Sequence, residues 1–324
     1  MSMSVISSVN WRNSIQRRKR HREVLFSSYI KRQRYYLRRM QLHTIHNGNF
    51  KLDGGAMFGV VPKKLWSRTN PSDANNLCPW AMRSLLIEDG DKLTLIDCGL
   101  GDKQSEKFFG HYHPHGDDSL DKSLSKAGFS RDDITDVFLT HLHFDHVGGA
   151  VEWNDSRNGY RPAFKNATFW SNARHWKWAT EPNPRERASF LSENIKPLQE
   201  SGQLKFVDAS DDDLRIKTGL GFDAFVVNGH TDAQMCPIIK LGEKTIVFMA
   251  DLLPSVGHIP IPYVMGYDTR PLLTLEERTR IFNEAANKGY HLFLEHDAAH
   301  EVCTLTQTEK GPRLDRVLKL SELG

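Results

Sequence analysis

Three histidines and an aspartate fall within six residues in the run Thr140-His141-Leu142-His143-Phe144-Asp145-His146-Val147-Gly148-Gly149. Imidazole nitrogens and carboxylate oxygens are the donors that zinc and similar divalent cations take, so this density on one short turn points to a metal site. A polar loop with coincidental histidines and a metal-free His-Asp pair are the competing readings, and neither accounts for four potential donors side by side. The run follows the apolar stretch 136–140 (DVFLT), which places it at the mouth of a strand. His141 and His143, two apart, project to the same side if that strand continues. Asp145 and His146 come where the chain must turn, with Gly148 and Gly149 expected to supply backbone freedom.

The residues 141–146 (HLHFDH) match the HxHxDH signature and resemble the metallo-β-lactamase superfamily, with the resemblance extending from about residue 40 to the end. It implies an α+β fold, the four-layer αβ/βα sandwich of two mixed sheets flanked by helices, with metals at the edge between the sheets. Further donors are then expected at later strand ends. Residues 228–231 (NGHT) follow FVV and resemble the family's GHT motif, Ala250-Asp251 follows TIVFM, and Glu295-His296-Asp297 follows HLFL. The resemblance implies one cation on His141, His143 and His230, a second on Asp145, His146 and His296, and Asp251 as the bridge. Asp97, closing the strand LTLID, resembles an aspartate behind the site that orients a ligand histidine; capping a turn is its alternative role.

The cofactors so implied are two divalent ions, with zinc expected. A water shared by them would be deprotonated near neutral pH, since a single zinc already brings bound water to about pKa 7. The bridging hydroxide would be the nucleophile, so no serine or cysteine is required. Asp145 or Asp251 would carry the proton to the leaving oxygen, the catalytic roles expected for these two.

Residues 53–59 (DGGAMFG), 96–101 (IDCGLG) and 250–254 (ADLLP) resemble the branch of N-acyl homoserine lactone lactonases and methyl parathion hydrolase. That resemblance implies cleavage of lactones, aryl esters or phosphotriesters; nucleic-acid processing or thioester cleavage within the superfamily is the alternative. The tyrosine that many acyl homoserine lactonases carry three positions past the bridging aspartate is Pro254 here, which shifts the likeness toward methyl parathion hydrolase. Met57, Phe58 and Trp80 could line an apolar pocket, although core packing suits each equally, and His258 could reach that pocket. His111, His113 and His115 (HYHPH) read as a loop, with an accessory metal site as the alternative. His175 and Trp176 read as helix residues on surface and core.

The elements that must position these groups alternate along the chain. Strands are expected at 93–97, 136–140, 167–170, 222–227, 236–241, 245–249 and 291–294, and helices at 171–178, 275–288 and 314–323. The 324 residues suffice for one large core, and 39% hydrophobic with 26% charged residues is ordinary for a globular chain. No stretch approaches the roughly 18 apolar residues of a membrane span. Cys78, Cys98, Cys236 and Cys303 show no CxxC spacing, and reduced thiols in a cytoplasmic protein are expected. The net charge of +3 divides into +10 over residues 1–40 and −7 over the remainder, an acidic body that argues against a nucleic-acid surface and for a small-molecule substrate. Residues 1–39 read as a basic, disordered extension upstream of a hydrolase domain at 40–324, with Met40 as the natural start. They lack the apolar run of a signal peptide. The branch resemblance also implies a homodimer.

Overall fold

The computed structural model describes residues 40–209 and 214–324. The extension expected at 1–39 lies outside them. Residues 41–88 and 92–324 form one unit. The other unit, 1–40 with 89–91, is described only at Met40 and the turn Asp89–Asp91.

The first half of the chain supplies β1 (Gln41–Asp53), β2 (Leu77–Asp89), β3 (Lys92–Ile96) and β4 (Asp136–Phe138), then a separate hairpin of β5 (Val151–Trp153) and β6 (Tyr160–Pro162), then β7 (Thr168–Asn172) and β8 (Leu204–Val207). These build a six-stranded sheet in the order β1-β2-β3-β4-β7-β8, antiparallel at β1/β2 and parallel from β3 through β8. The second half supplies β9 (Arg215–Lys217), β10 (Asp223–Val227), β11 (Gln234–Leu241), β12 (Lys244–Phe248), β13 (His291–Phe293), β14 (Val302–Thr308) and β15 (Gly311–Leu318), forming a seven-stranded sheet in reverse numerical order. All its pairings are antiparallel except β12/β13.

Both faces of the central strands are buried, which is why DVFL, TIVFM and HLFL read as unbroken apolar runs. Along β4, Val137 and Leu139 join Leu124, Ile195 and Leu198 of the covering helices, while Phe138 between them meets Phe222 at 5.2 Å. Along β12 and β13, Val247 and Leu292 pack with Ile281, Phe282 and Ala285 of the helix Pro271–Lys288, whereas Phe248 and Phe293 stack on each other at 5.4 Å. Two mixed sheets with helices packed on them give the α+β architecture expected.

All three helices read from the sequence differ from that reading. The helix 171–178 begins later, at Ala173: Asn172 ends β7 and caps the helix by accepting from His175 N at 2.8 Å. The helix 275–288 begins earlier, at Pro271, because proline at the first helical position loses no hydrogen bond. The C-terminal helix is absent: residues 311–318 form β15, paired in register with β14, and only Leu320–Glu322 makes a single 3-10 turn. Leu314, Val317 and Leu318 carry helix-like spacing, but the turn at Thr308–Gly311 with a left-handed Gly311 folds the segment back as a hairpin. No helix among the described residues is long and apolar enough to cross a membrane.

Candidate metal centre

Four strand ends converge on one point. The strand β4 stops at Phe138, short of the histidines. His141 lies in the following loop, His143 stands at the N-terminus of the short helix Phe144–Val147, and that helix carries Asp145 and His146. The other three donors leave the second sheet after β10 (His230), β12 (Asp251) and β13 (His296). With β11 antiparallel to both β10 and β12, and β13 parallel to β12, these three strands run the same way and release their loops at one edge.

The seven residues are 8% exposed or less. Asp251 Oδ2 lies 2.9 Å from His230 Nε2, 3.4 Å from His146 Nε2 and 3.5 Å from His141 Nε2, and its Oδ1 lies 3.1 Å from His296 Nε2. Asp145 Oδ2 is 3.8 Å from the Nε2 atoms of both His146 and His296. Donor atoms of His141, His143, His230 and Asp251 all fall within 4.8 Å of one another, and so do those of Asp145, His146 and His296. The structure brings the seven side chains named from the sequence to one place, with Asp251 grouped with His141, His143 and His230.

Nitrogen faces nitrogen across this centre: His141 Nε2 is 3.0 Å and His230 Nε2 3.1 Å from His143 Nδ1, and His146 Nε2 is 3.2 Å from His296 Nε2. Ligands about 2.0–2.1 Å from a tetrahedral zinc stand roughly 3.3 Å apart, so this spacing suits a cation shared by the ring nitrogens. Four of the five outer nitrogens are hydrogen-bonded, the exception being His143 Nε2. Thr140 Oγ1 lies 3.1 Å from His141 Nδ1, Glu186 Oε1 lies 3.4 Å from His143 Nε2, and Asp97 Oδ2 and Glu295 Oε2 each lie 3.1 Å from His146 Nδ1. Asp268 Oδ1 is 2.9 Å from His230 Nδ1, and Ala81 O is 2.8 Å from His296 Nδ1. Such outer partners fix tautomer and ring orientation, leaving one lone pair per ring aimed inward. On this chemistry and spacing the residues fit two divalent cations.

Asp97, which lies against His146, also accepts from Thr140 N at 2.8 Å and Thr140 Oγ1 at 2.6 Å. Glu186, Asp268 and Glu295 were not found from the sequence. Glu295 sits beside an expected donor, a signal that was available, whereas Glu186 and Asp268 lie on loops far from any motif.

The turns are pinned by main-chain contacts. A Cβ on Gly148 would come within 2.0 Å of Leu100 O, and one on Gly229 within 2.3 Å of Thr274 Oγ1. Gly148 has an ordinary helical φ of −56°, so it serves close approach rather than the backbone freedom expected. Asp97 (φ 58°) and Ala250 (φ 42°), which precedes Asp251, hold left-handed backbone that non-glycine residues adopt at a cost of about 1–2 kcal/mol. Two buried arginines brace the later turns: Arg83 donates to Leu294 O at 2.5 Å and Asp297 O at 3.0 Å, and Arg278 to Leu252 O at 2.8 Å and Tyr263 O at 2.7 Å.

Charge inside the cage is tightly correlated. Burial, with His146 and His143 alongside, holds His141 well below the ordinary histidine value. At His230 and His296 burial works the same way, but the Asp251 carboxylate outweighs it and lifts them to about 10 and about 9. Asp251 is itself held well below the carboxylate range, burial being overcome by His230, His146 and His296.

A cavity of about 330 Å³ opens onto His143, Asp145, His230, Asp251 and His296. Leu52, Met57, Tyr112, Phe144, Met265 and Tyr267 give it an apolar wall, with Arg185, Glu186 and Ser189 on the polar side. Met57 is therefore in the pocket as expected. Phe58, Trp80 and His258 are not: all three are fully buried, Phe58 stacks between Trp66 (5.3 Å) and His258 (4.2 Å), and His258 spends its ring nitrogens on Ser255 Oγ and Met57 O. They form the core beneath the wall. The HYHPH stretch is likewise no metal site. His111 belongs to the helix Glu106–Tyr112, His113 caps it, His115 pairs with Asn49, and no donor group among the described residues includes them. His175 is fully buried rather than at the surface, with Leu142 N donating to its Nε2 at 2.9 Å, and Trp176 is in the core.

Residues 83–288 match the Metallo-beta-lactamase superfamily. No curated protein matches the chain in sequence. Among solved structures it is similar to a protein of Staphylococcus aureus described as a probable metal-dependent hydrolase (25% identity, 86% of this chain and 96% of that one, TM-score 0.77). It is also similar in fold to AidC, a dizinc quorum-quenching lactonase solved with a homoserine product (22% identity, 86% and 96%, TM-score 0.69), and to the hydrolase AbOPH (20% identity, 86% and 95%, TM-score 0.69). With the signature turn, the two sheets and the buried His/Asp cage all present, the chain belongs to the metallo-beta-lactamase superfamily.

Proposed function

We propose that this chain is a dinuclear metal-dependent hydrolase, with two zinc ions in the cage, that cleaves lactone, aryl-ester or phosphotriester bonds of small molecules in the cytoplasm. The observation that carries the reading is the cavity of about 330 Å³ whose floor is the cage and whose wall is apolar. A small acyl or aryl group suits such a wall, while a nucleic-acid backbone would need cations where only Arg185 stands. AidC, a lactonase, and AbOPH, a hydrolase, share this fold and agree with this class.

Two divalent cations in the cage would lower the pKa of a shared water and polarise the scissile carbonyl or phosphoryl oxygen. His141, His143 and His230 would hold one, Asp145, His146 and His296 the other, and Asp251, approached by four imidazoles, would bridge them. Asp145 faces the cavity and can pass a proton to the leaving oxygen. Asp268 keeps His230 aimed inward, and Glu186 lies beside the outer nitrogen of His143. The apolar wall excludes competing water from the reacting bond.

The test is a hydrolysis panel on zinc-loaded protein: an acyl homoserine lactone, an aryl acetate, a phosphotriester, a chromogenic β-lactam and RNA. Turnover of one or more of the first three, abolished by chelation, is expected. Turnover confined to RNA or to the β-lactam would overturn the reading.

A further inference from the structure

A lysine is seldom fully buried, yet Lys103 is only 4% exposed. Its ammonium donates to the carbonyl of Gly148, just past His146. Burial pulls it down to about 8, with Glu193 and Asp102 opposing through space, so it carries its charge at neutral pH. Gly148 closes the short helix Phe144–Val147, the element that carries Asp145 and His146. Carbonyls at a helix exit lack a partner within the helix, and a cation is the group that suits them best.

The loop that holds Lys103 grips the same turn at two further points. Cys98 N donates to His146 O at 2.8 Å, and Gly149 N donates to Gly99 O at 2.9 Å. The two segments lie too close for side chains: a Cβ on Gly101 would come within 2.7 Å of Gly148 O, and one on Gly149 within 2.2 Å of Cys98 O. Val147 and Ala150 share a core with Ile195 and Leu198 of the helix Ser192–Glu200, and Gln104 donates to Asn194 Oδ1 on that helix at 3.3 Å.

An apolar side chain would fill the place of Lys103 at lower cost, because an ammonium loses its hydration on burial. What the ammonium adds is a directed bond at one end of the ligand helix. The other end is held where Phe144 N donates to Ser189 O at 3.0 Å. Adjacent residues on a helix point about 100° apart, so Asp145 and His146 can meet one cation only at one rotation of that helix. Fixing both ends sets the rotation. His141 and His143 precede the helix and His230 comes from the other sheet, so the first group of donors does not depend on it.

Building on the dinuclear reading above, we propose that Lys103 is a positioning residue for the second cation: its buried ammonium fixes the exit of the ligand helix and so aims Asp145 and His146 toward His296.

The test compares the full-length wild type with Lys103→Met, which keeps the stem and drops the charge. In chelator competition on zinc-loaded protein, the variant should hold one of its two ions about 10- to 100-fold more weakly and the other within about twofold of wild type. Zinc-free Lys103→Met should unfold at a denaturant concentration no lower than wild type, since replacing a buried charge by an apolar group does not weaken a core. Equal weakening of both ions, weakening of neither, or a lower unfolding midpoint would overturn the assignment. Should Lys103→Met not fold, Lys103→Gln is read the same way, and failure of both to fold would show a core role and overturn it. A single ion in the wild type would sink the dinuclear reading separately. Hydrogen exchange on the zinc-free proteins then decides Lys103. Faster exchange of the Val147 and Gly149 amides in Lys103→Met, with the amides of β11 and β12 unchanged, supports it; no change, or faster exchange throughout, overturns it.

Discussion

In the cage each of the five histidines has an inner nitrogen turned to its neighbours, and four have an outer nitrogen hydrogen-bonded to Thr140, Asp97, Asp268 or Ala81, while Glu186 lies 3.4 Å from that of His143. In the wall of the adjoining cavity, Leu52, Met57, Phe144 and Met265 are apolar, with Arg185 and Ser189 among its polar members. The cage is assembled from strand ends and braced by buried arginines. The wall is gathered from β1, three short helices and two loops. The difference separates what chemistry demands from what a substrate demands: donors to a metal must be fixed before it arrives, whereas a wall needs only shape and a few polar groups.

This contrast can be broken first at Asp251. Replacing it with alanine removes the carboxylate that four imidazoles approach, and both metal content and hydrolysis should fall, turnover by about three orders of magnitude. An unaffected variant would show that the bridge is elsewhere. The boundary between wall and core is sharpened by Phe58→Ala. As a fully buried ring stacked on Trp66 and His258, it should cost about 3–5 kcal/mol in denaturant unfolding, with KM unchanged in whatever folds. A raised KM at unchanged stability would return Phe58 to the pocket. Smaller again is the outer ring of the cage: Glu186→Gln or Asp268→Asn should weaken metal affinity about 10- to 100-fold in a chelator competition.

The smallest effect lies away from both regions. Glu301, with His46 beside it and then burial acting in opposition, is held at about 2 in the fold. A carboxyl depressed in the native state adds stability above its unfolded value near 4.3, and loses it as pH falls toward 2. Glu301→Gln should therefore flatten the acid side of the stability profile between about pH 4.5 and 2; an unchanged slope would show that the pair contributes nothing.

The same contrast explains what was legible in the sequence. The cage was, because strand ends announce themselves as apolar runs followed by a donor, as in DVFLT before HLHFDH and TIVFM before Asp251. The wall was not. Met57 was named with Phe58 and Trp80 as equals, but alternation in a short helix buries Phe58 and presents its neighbour, a choice only packing makes. Tyr267 and Glu186 were missed because loop residues carry no period, and Asp268 because its partner His230 is 38 residues away. The C-terminal hairpin was misread for a related reason: Leu314, Val317 and Leu318 suit a helix by spacing, and pairing with β14 decided otherwise.

The most direct test is metal stoichiometry. Elemental analysis of the full chain after zinc loading and dialysis should give two ions per chain, one in His141→Ala and one in His296→Ala, since those residues belong to different donor groups. One ion in the wild type, or the same content in all three proteins, would contradict a dinuclear cage built from these seven residues.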